Sequence, residues 1–114
     1  MVFVIDDDEI MAECIANAIK KDAMIFTNGI DAMVKIAEGC IPEMIFLDIL
    51  LDGPDGFAFL NELMSYGDTA NIPIVLVTSL NIKMKDLAIY NIVGMTNKDT
   101  MKPKDIQRYV EQYT

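Results

Sequence analysis

The sequence contains no histidine and no tryptophan, and its two cysteines, Cys14 and Cys40, do not form a CxxC pair. Without histidine the chain cannot build a Ser-His-Asp triad or a Cys-His dyad, and two isolated cysteines do not make a zinc site. No stretch approaches the ~18 consecutive apolar residues of a membrane-spanning helix. The N-terminus also lacks the basic lead and cleavage site of a signal peptide. These absences exclude much of enzyme chemistry and predict a cytoplasmic protein.

Basic residues are scarce as well. Nine lysines and arginines stand against eighteen aspartates and glutamates, which gives a net charge of −9. This excess of negative charge opposes direct contact with nucleic acid or with anionic lipid, and it favours a cation or a basic partner surface. The length of 114 residues suffices for one hydrophobic core and is too short for two, so we predict a single domain over residues 1–114.

Short apolar runs alternate with segments of helical periodicity along the whole chain. The runs predict five strands, at Val2–Ile5, Ala23–Phe26, Met44–Leu47, Ile74–Val77 and Ile92–Thr96. The helical spacing predicts helices at about 10–21, 30–38, 57–64, 82–90 and 103–113. Strands that are apolar on both faces and alternate with helices are typical of a doubly wound α/β fold, here a five-stranded parallel sheet with helices on both faces.

Polar residues follow the predicted strand ends. Asp6 and Asp7 come after the first strand, Asp48 after the third and Thr78 after the fourth. The carboxyl ends of parallel strands meet at one edge, where open α/β sheets bind their ligands. A run of aspartates alone is typical of a solvated helix N-terminus, and we predict this role, as N-cap, for Asp8. Three carboxylates on one edge instead favour a hard divalent cation, beside which a carboxylate can act as a nucleophile toward phosphorus.

Several short segments together carry a resemblance to a known family. They are VFVIDDDE, FTNGIDAM, IPEMIFLDIL, the Asp55-Gly56 turn, IPIVLVTS and KPKDI. Each is weakly specific alone, but in this order and spacing the whole chain resembles a receiver domain of bacterial two-component response regulators. The resemblance implies a flavodoxin-like, receiver-type fold, which agrees with the alternation of strands and helices.

The resemblance also implies roles for individual residues. Asp48 would accept a phosphoryl group from a histidine kinase or phosphotransfer protein, and Thr78 would bond a phosphoryl oxygen. The cation would be Mg²⁺, with Mn²⁺ as a substitute. Its implied ligands are Asp6, Asp7, Asp48 and the backbone carbonyl of Leu50.

Two lysines are candidates for the cation that would pair with the phosphoryl group. Lys98 lies twenty residues after Thr78 and Lys102 lies twenty-four after it. Lys102 precedes Pro103, as in the cis Lys-Pro step of the family, so we predict Lys102 rather than Lys98. The family carries an aromatic switch residue three positions before this lysine, where the present chain has Asp99.

The predicted function is a switch: phosphorylation would expose an interaction surface for an output partner, formed in the family by helix 4, strand 5 and helix 5. Here these elements are the helix at 82–90, the last strand and the last helix. A phosphorylation-independent binding module is the alternative. A phosphohydrolase lacks the expected acid two residues after Asp48, where Leu50 stands. The resemblance also implies that the residues two past Asp48 and two past Thr78 influence attack by water. Here they are Leu50 and Leu80, whose apolar side chains cannot orient water, so at most self-phosphorylation and slow autodephosphorylation are expected.

Overall fold

The computed structural model describes residues 1–49, 55–78 and 89–114. The strands are β1 (Val2–Ile5), β2 (Ala23–Phe26), β3 (Met44–Asp48), β4 (Ile74–Thr78) and β5 (Ile92–Asn97). The helices are α1 (Glu9–Ile19), α2 (Gly29–Ala37), α3 (Asp55–Met64) and α4 (Pro103–Tyr113). The predicted helix over 82–90 falls almost entirely outside the described residues. Within the described ranges, no helix has both the length and the apolar character that crossing a bilayer requires.

The five strands form one parallel sheet in the order β2-β1-β3-β4-β5. The chain moves outward from β1 to β2 and then crosses back to β3 on the other side of β1. The doubly wound parallel sheet is therefore confirmed. The reversal of direction between β1 and β3 opens a crevice at the carboxyl ends of these two strands, which is where such sheets bind ligands.

Apolar side chains on the two faces of the sheet build two separate cores. On β1, Phe3 and Ile5 pack with α2 and α3, whereas Val2 and Val4 pack with α1 and α4. All four side chains are fully buried. Each such burial contributes about 1.5–3 kcal/mol. The alternation of adjacent residues between two cores explains why the strands appear as uninterrupted apolar runs in the sequence.

The start of α3 depends on a close approach between a glycine and the chain after β3. Asp55 and Gly56 open α3 rather than forming a separate turn. A Cβ on Gly56 would lie 2.2 Å from the carbonyl oxygen of Ile49, the residue that follows Asp48. Only a residue without a side chain leaves this backbone contact undisturbed.

We therefore expect Gly56→Ala to destabilise the fold by about 1–3 kcal/mol, the usual cost of overpacking. The matched control is Gly67→Ala, because a Cβ at Gly67 meets no atom within 4 Å. Urea unfolding of both variants measures the difference. A Gly56→Ala protein as stable as the wild type would contradict the structural reason given for this glycine.

Candidate functional site

The three consecutive aspartates have three different environments. Asp6 follows β1, is 1% exposed, and accepts a hydrogen bond on Oδ1 from the Asp8 amide at 2.9 Å. Asp8 is the N-cap of α1, as predicted, and accepts hydrogen bonds from the amides of Ile10 and Met11. Asp7 is exposed. The three carboxylates are thus buried after β1 (Asp6), exposed (Asp7) and bound to the first turn of α1 (Asp8).

A lysine from the far strand reaches the two buried carboxylates. Asp48 ends β3 and is 3% exposed. Lys98 Nζ donates a hydrogen bond to Asp48 Oδ2 at 2.9 Å and lies 3.2 Å from Asp6 Oδ2. The ammonium group therefore bridges two acids that come from different strands.

The register between β4 and β5 fixes the position of this lysine. Thr78 pairs with Asn97, and the Lys98 amide donates to the Thr78 carbonyl at 3.1 Å. Lys98 therefore leaves the sheet at the same edge as Asp48 and Asp6. Thr78 itself is 1% exposed and ends the strand next to the one that carries Asp48.

The structure places Lys98, and not the predicted Lys102, against the buried carboxylates. Lys102 is exposed and lies at the N-cap of α4, four residues beyond the lysine that contacts the carboxylates. The Lys102–Pro103 peptide bond is trans. The physical reason is that β5 extends to Asn97, so Lys98 directly follows the strand and Lys102 already belongs to the next helix.

The residues that follow Lys102 in the sequence could have identified it as a helix start. Proline is favoured in the first turn of a helix, and an acidic residue at the third position can accept a bond from the N-cap amide. Here Pro103 opens α4, and the Lys102 amide donates to Asp105 Oδ2 at 2.9 Å. KPKDI is therefore a helix start. With Lys98 as the reference, the position three residues earlier is Met95 rather than Asp99, and it is again not aromatic.

Burial and neighbouring charges shift the pKa values of Asp6 and Lys98, both of which are raised. Burial is the main cause that raises the pKa of Asp6, and the charge of Asp48 raises it further. The Asp8 amide and Lys98 act in the opposite direction. For Lys98, burial lowers the pKa, but the hydrogen bond to Asp48 and the two negative charges outweigh it, and the net shift is upward. Lys98 is therefore cationic at neutral pH.

Three carboxylates come close enough together to share one cation. One oxygen each from Asp6, Asp7 and Asp48 lies within 4.8 Å of the others. Asp6 Oδ2 is buried and, among the described residues, accepts no hydrogen bond despite its ion pair with Lys98. An all-oxygen set with an unsatisfied buried oxygen suits a hard divalent cation. The Leu50 carbonyl, the remaining expected ligand, lies outside the described residues, as does Leu80.

The sequence is similar to that of a known response regulator. The response regulator PleD of Caulobacter vibrioides is 27% identical over 82 residues, which cover 70% of this chain and 18% of PleD. The chain spans only 10% to 32% of the length of the curated relatives that it matches.

Solved receiver domains share the fold. The receiver domain of NtrX from Brucella abortus superposes with a TM-score of 0.83 at 19% identity, covering 99% of this chain and 97% of that one. The receiver domain of sensor histidine kinase PA1611 from Pseudomonas aeruginosa, with magnesium coordinated in its active site cleft, gives 0.79 at 18% identity and covers 98% and 94%.

The family profile of the response regulator receiver domain matches residues 2–111, nearly the whole chain. This match includes all five strands, α1 to α3 and most of α4, together with the acidic cluster and Lys98. The chain belongs to the receiver domain family of two-component response regulators.

Proposed function

We propose that this receiver domain accepts a phosphoryl group on Asp48 in a reaction that requires Mg²⁺ or Mn²⁺. The donor is a histidine kinase or a phosphotransfer protein. The observation that carries the proposal is the bridge of Lys98 between the buried carboxylates of Asp48 and Asp6, at 2.9 and 3.2 Å. This bridge holds a nucleophile and a permanent positive charge together at the ligand-binding edge of the sheet.

The chemistry follows from these groups. A carboxylate oxygen of Asp48 attacks phosphorus, the bond from phosphorus to the donor nitrogen or oxygen breaks, and the donor leaves with the electron pair. The product, an acyl phosphate, carries about two negative charges where the carboxylate carried one. Lys98 lies beside Asp48 and compensates part of this added charge. The buried hydroxyl of Thr78, on the neighbouring strand, is our candidate donor to a phosphoryl oxygen.

The proposed metal ligands are Asp6, Asp7 and Asp48, with the Leu50 carbonyl as a fourth. When bound, a divalent cation would screen the phosphoryl oxygens from these carboxylates and stabilise charge in the transition state. Support comes from the cluster of carboxylate oxygens and from the unsatisfied Asp6 Oδ2. The magnesium coordinated in the active site cleft of the PA1611 receiver domain supports the proposal of a divalent cation at this site.

The proposed output is a change at the surface of β5 and α4; the predicted helix at 82–90, which the family resemblance adds to this surface, falls almost entirely outside the described residues. The net charge of −9 argues against direct contact of this domain with nucleic acid or membrane. Both cysteines are free, as is usual in a reducing compartment, which supports a cytoplasmic location. A phosphorylation-independent binding module is the second candidate function. It is favoured by Met95, which stands where the family has its aromatic switch residue.

The wild-type protein should gain the mass of one phosphoryl group when it is incubated with acetyl phosphate and Mg²⁺. In EDTA the gain should disappear, because the repulsion between the donor and three carboxylates is then not screened. Intact-mass spectrometry measures both conditions. Uptake that is equally fast in EDTA would contradict the metal-dependent mechanism, and no uptake with Mg²⁺ would favour the binding module.

Mg²⁺ should also stabilise the fold, because it binds the native site and not the unfolded chain. At a concentration one hundred times its Kd, the expected gain in unfolding free energy is about 2.7 kcal/mol. Asp6→Asn should lose this gain. Asp8→Asn removes the same charge two residues away and keeps a good N-cap, so it should retain the gain.

Thermal unfolding with and without Mg²⁺ provides the readout, which does not depend on phosphorylation. Equal stabilisation of the wild type and Asp6→Asn would show that the cation binds elsewhere.

A further inference from the structure

A second surface lies away from the acidic cluster, in the groove between α2 and α3. The groove has a volume of about 840 Å³. Its walls carry Ile30, Val34 and Tyr66, which are 70%, 54% and 55% exposed. Side chains of this size and exposure form an open apolar trough rather than an enclosed cavity.

Helix α2 has two apolar faces, only one of which the sheet covers. Ala32 and Ile36 are buried in the core beneath the helix. Ile30 and Val34 are spaced four residues apart on a different side of the helix and line the groove. Packing on the sheet therefore does not explain why the exposed residues Ile30 and Val34 are apolar. Apolar residues at this spacing are typical of a helix that contacts two partners.

The floor of the groove is held in place by close packing between the two helices. Phe59 of α3 is 2% exposed and lies against Gly29 at the start of α2. A Cβ on Gly29 would be 3.2 Å from the Phe59 Cβ, which is closer than most Cβ contacts in proteins. The absence of a side chain at Gly29 therefore allows α2 and α3 to approach this closely. The groove is consequently preformed, which reduces the cost of ordering it on binding.

The charges around the groove are of one sign. The charged residues that line it are Glu62 and Asp68, both exposed, and no lysine or arginine is among the described residues that line it. Two copies of a chain with a net charge of −9 would bring these acids together, which disfavours self-association through this face. The complementary partner combines an apolar stripe with positive charge.

We infer that the α2–α3 groove binds an amphipathic helical segment of another protein, with an apolar stripe flanked by lysine or arginine. The apolar stripe of the partner helix packs along Ile30 and Val34, over Phe59. The lysines or arginines of the partner pair with Glu62 and Asp68. Binding of an amphipathic helix in an apolar groove is a recurrent mode of peptide recognition. This surface includes neither Asp48 nor any residue of β5 or α4, the proposed output surface, so we expect peptide binding there to be independent of the proposed phosphorylation.

The probe is a fluorescein-labelled 18-residue peptide with leucines on one helical face and lysines beside them. A control peptide has the same composition in an order without a helical stripe. Fluorescence anisotropy should show that the first peptide binds the wild-type domain at least tenfold more tightly than the control. Equal binding of the two would show attraction by charge alone and would overturn the inference.

Two variants locate the site on the domain. Val34→Asp, in the groove, should weaken binding at least tenfold. Ile10→Asp adds the same charge on α1, at a residue 77% exposed and outside the groove, and should change the affinity by less than twofold. Equal loss in both variants would overturn the inference.

Two further measurements test whether peptide binding depends on Asp48 and whether a second copy of this chain occupies the groove. Asp48→Asn should bind the peptide as tightly as the wild type, so a failure of the phosphorylation proposal leaves this result unchanged. Loss of binding in Asp48→Asn would contradict the independence of the groove. In sedimentation velocity, a wild-type dimer that Val34→Asp dissociates would show that a second copy occupies the groove, and would overturn the inference.

Discussion

Replacing Asp48 by asparagine is expected to abolish phosphoryl uptake from acetyl phosphate, to below about 1% of the wild-type rate. An amide oxygen is a far weaker nucleophile toward phosphorus than a carboxylate. Asparagine has nearly the same shape, and its oxygen can still accept the hydrogen bond that Lys98 Nζ gives to Asp48 Oδ2. The loss therefore reports the missing nucleophile rather than a rearranged site. Intact-mass spectrometry in Mg²⁺ measures it, and circular dichroism verifies the fold.

The matched control is Asp22→Asn. Asp22 is exposed and precedes β2, at the opposite edge of the sheet from Asp48, so removing its charge should leave uptake within twofold of the wild type. Uptake by Asp48→Asn at the wild-type rate would mean that another carboxylate is the acceptor. Asp6, the other buried acid of the site, would then be the first to examine.

Lys98→Met should slow phosphoryl uptake about 100-fold or more in saturating Mg²⁺. Removing one preorganised group that stabilises developing charge typically costs 10²–10³ in rate. In the metal-free protein the same change leaves Asp6 and Asp48 buried without their shared cation. Breaking a buried ion pair in this way costs about 3–5 kcal/mol of stability. The rates should therefore be compared with the metal bound.

Lys102→Met is the control for this prediction, because it makes the same substitution at an exposed helix start. Its uptake rate should stay within twofold of the wild type. Lys98→Arg keeps the positive charge and tests the site if Lys98→Met does not fold. A large loss in Lys102→Met together with a normal rate in both Lys98 variants would contradict the assignment.

Most of the sheet could be predicted from the sequence, because its strands are buried on both sides. β1 and β2 have the predicted bounds, and β3 and β4 extend one residue further, to Asp48 and Thr78. In both cases the predicted strand ends at the last apolar residue, although the backbone of the polar residue that follows still pairs with the next strand. Side-chain polarity marks where the core ends, and the hydrogen-bonded ladder continues past it.

The lysine of the site could not be predicted in the same way. β5 is an edge strand with glycine, threonine and asparagine within it, so its apolar pattern is weak. Its end is set by pairing of Asn97 with Thr78, residues nineteen positions apart. Such a register is a property of two distant segments and leaves little trace in either one. The acids of β1 and β3 were easier to place because each directly follows a strongly apolar strand.

The position of the phosphoryl group on the chain tests the central claim most directly. Treatment of the acetyl phosphate-labelled protein with borohydride converts an aspartyl phosphate into homoserine, and peptide mass spectrometry then locates the reduced residue. We predict homoserine at position 48 in Mg²⁺ and none in EDTA. Homoserine at another aspartate, or its absence from a fully folded, Mg²⁺-bound protein, would contradict the account.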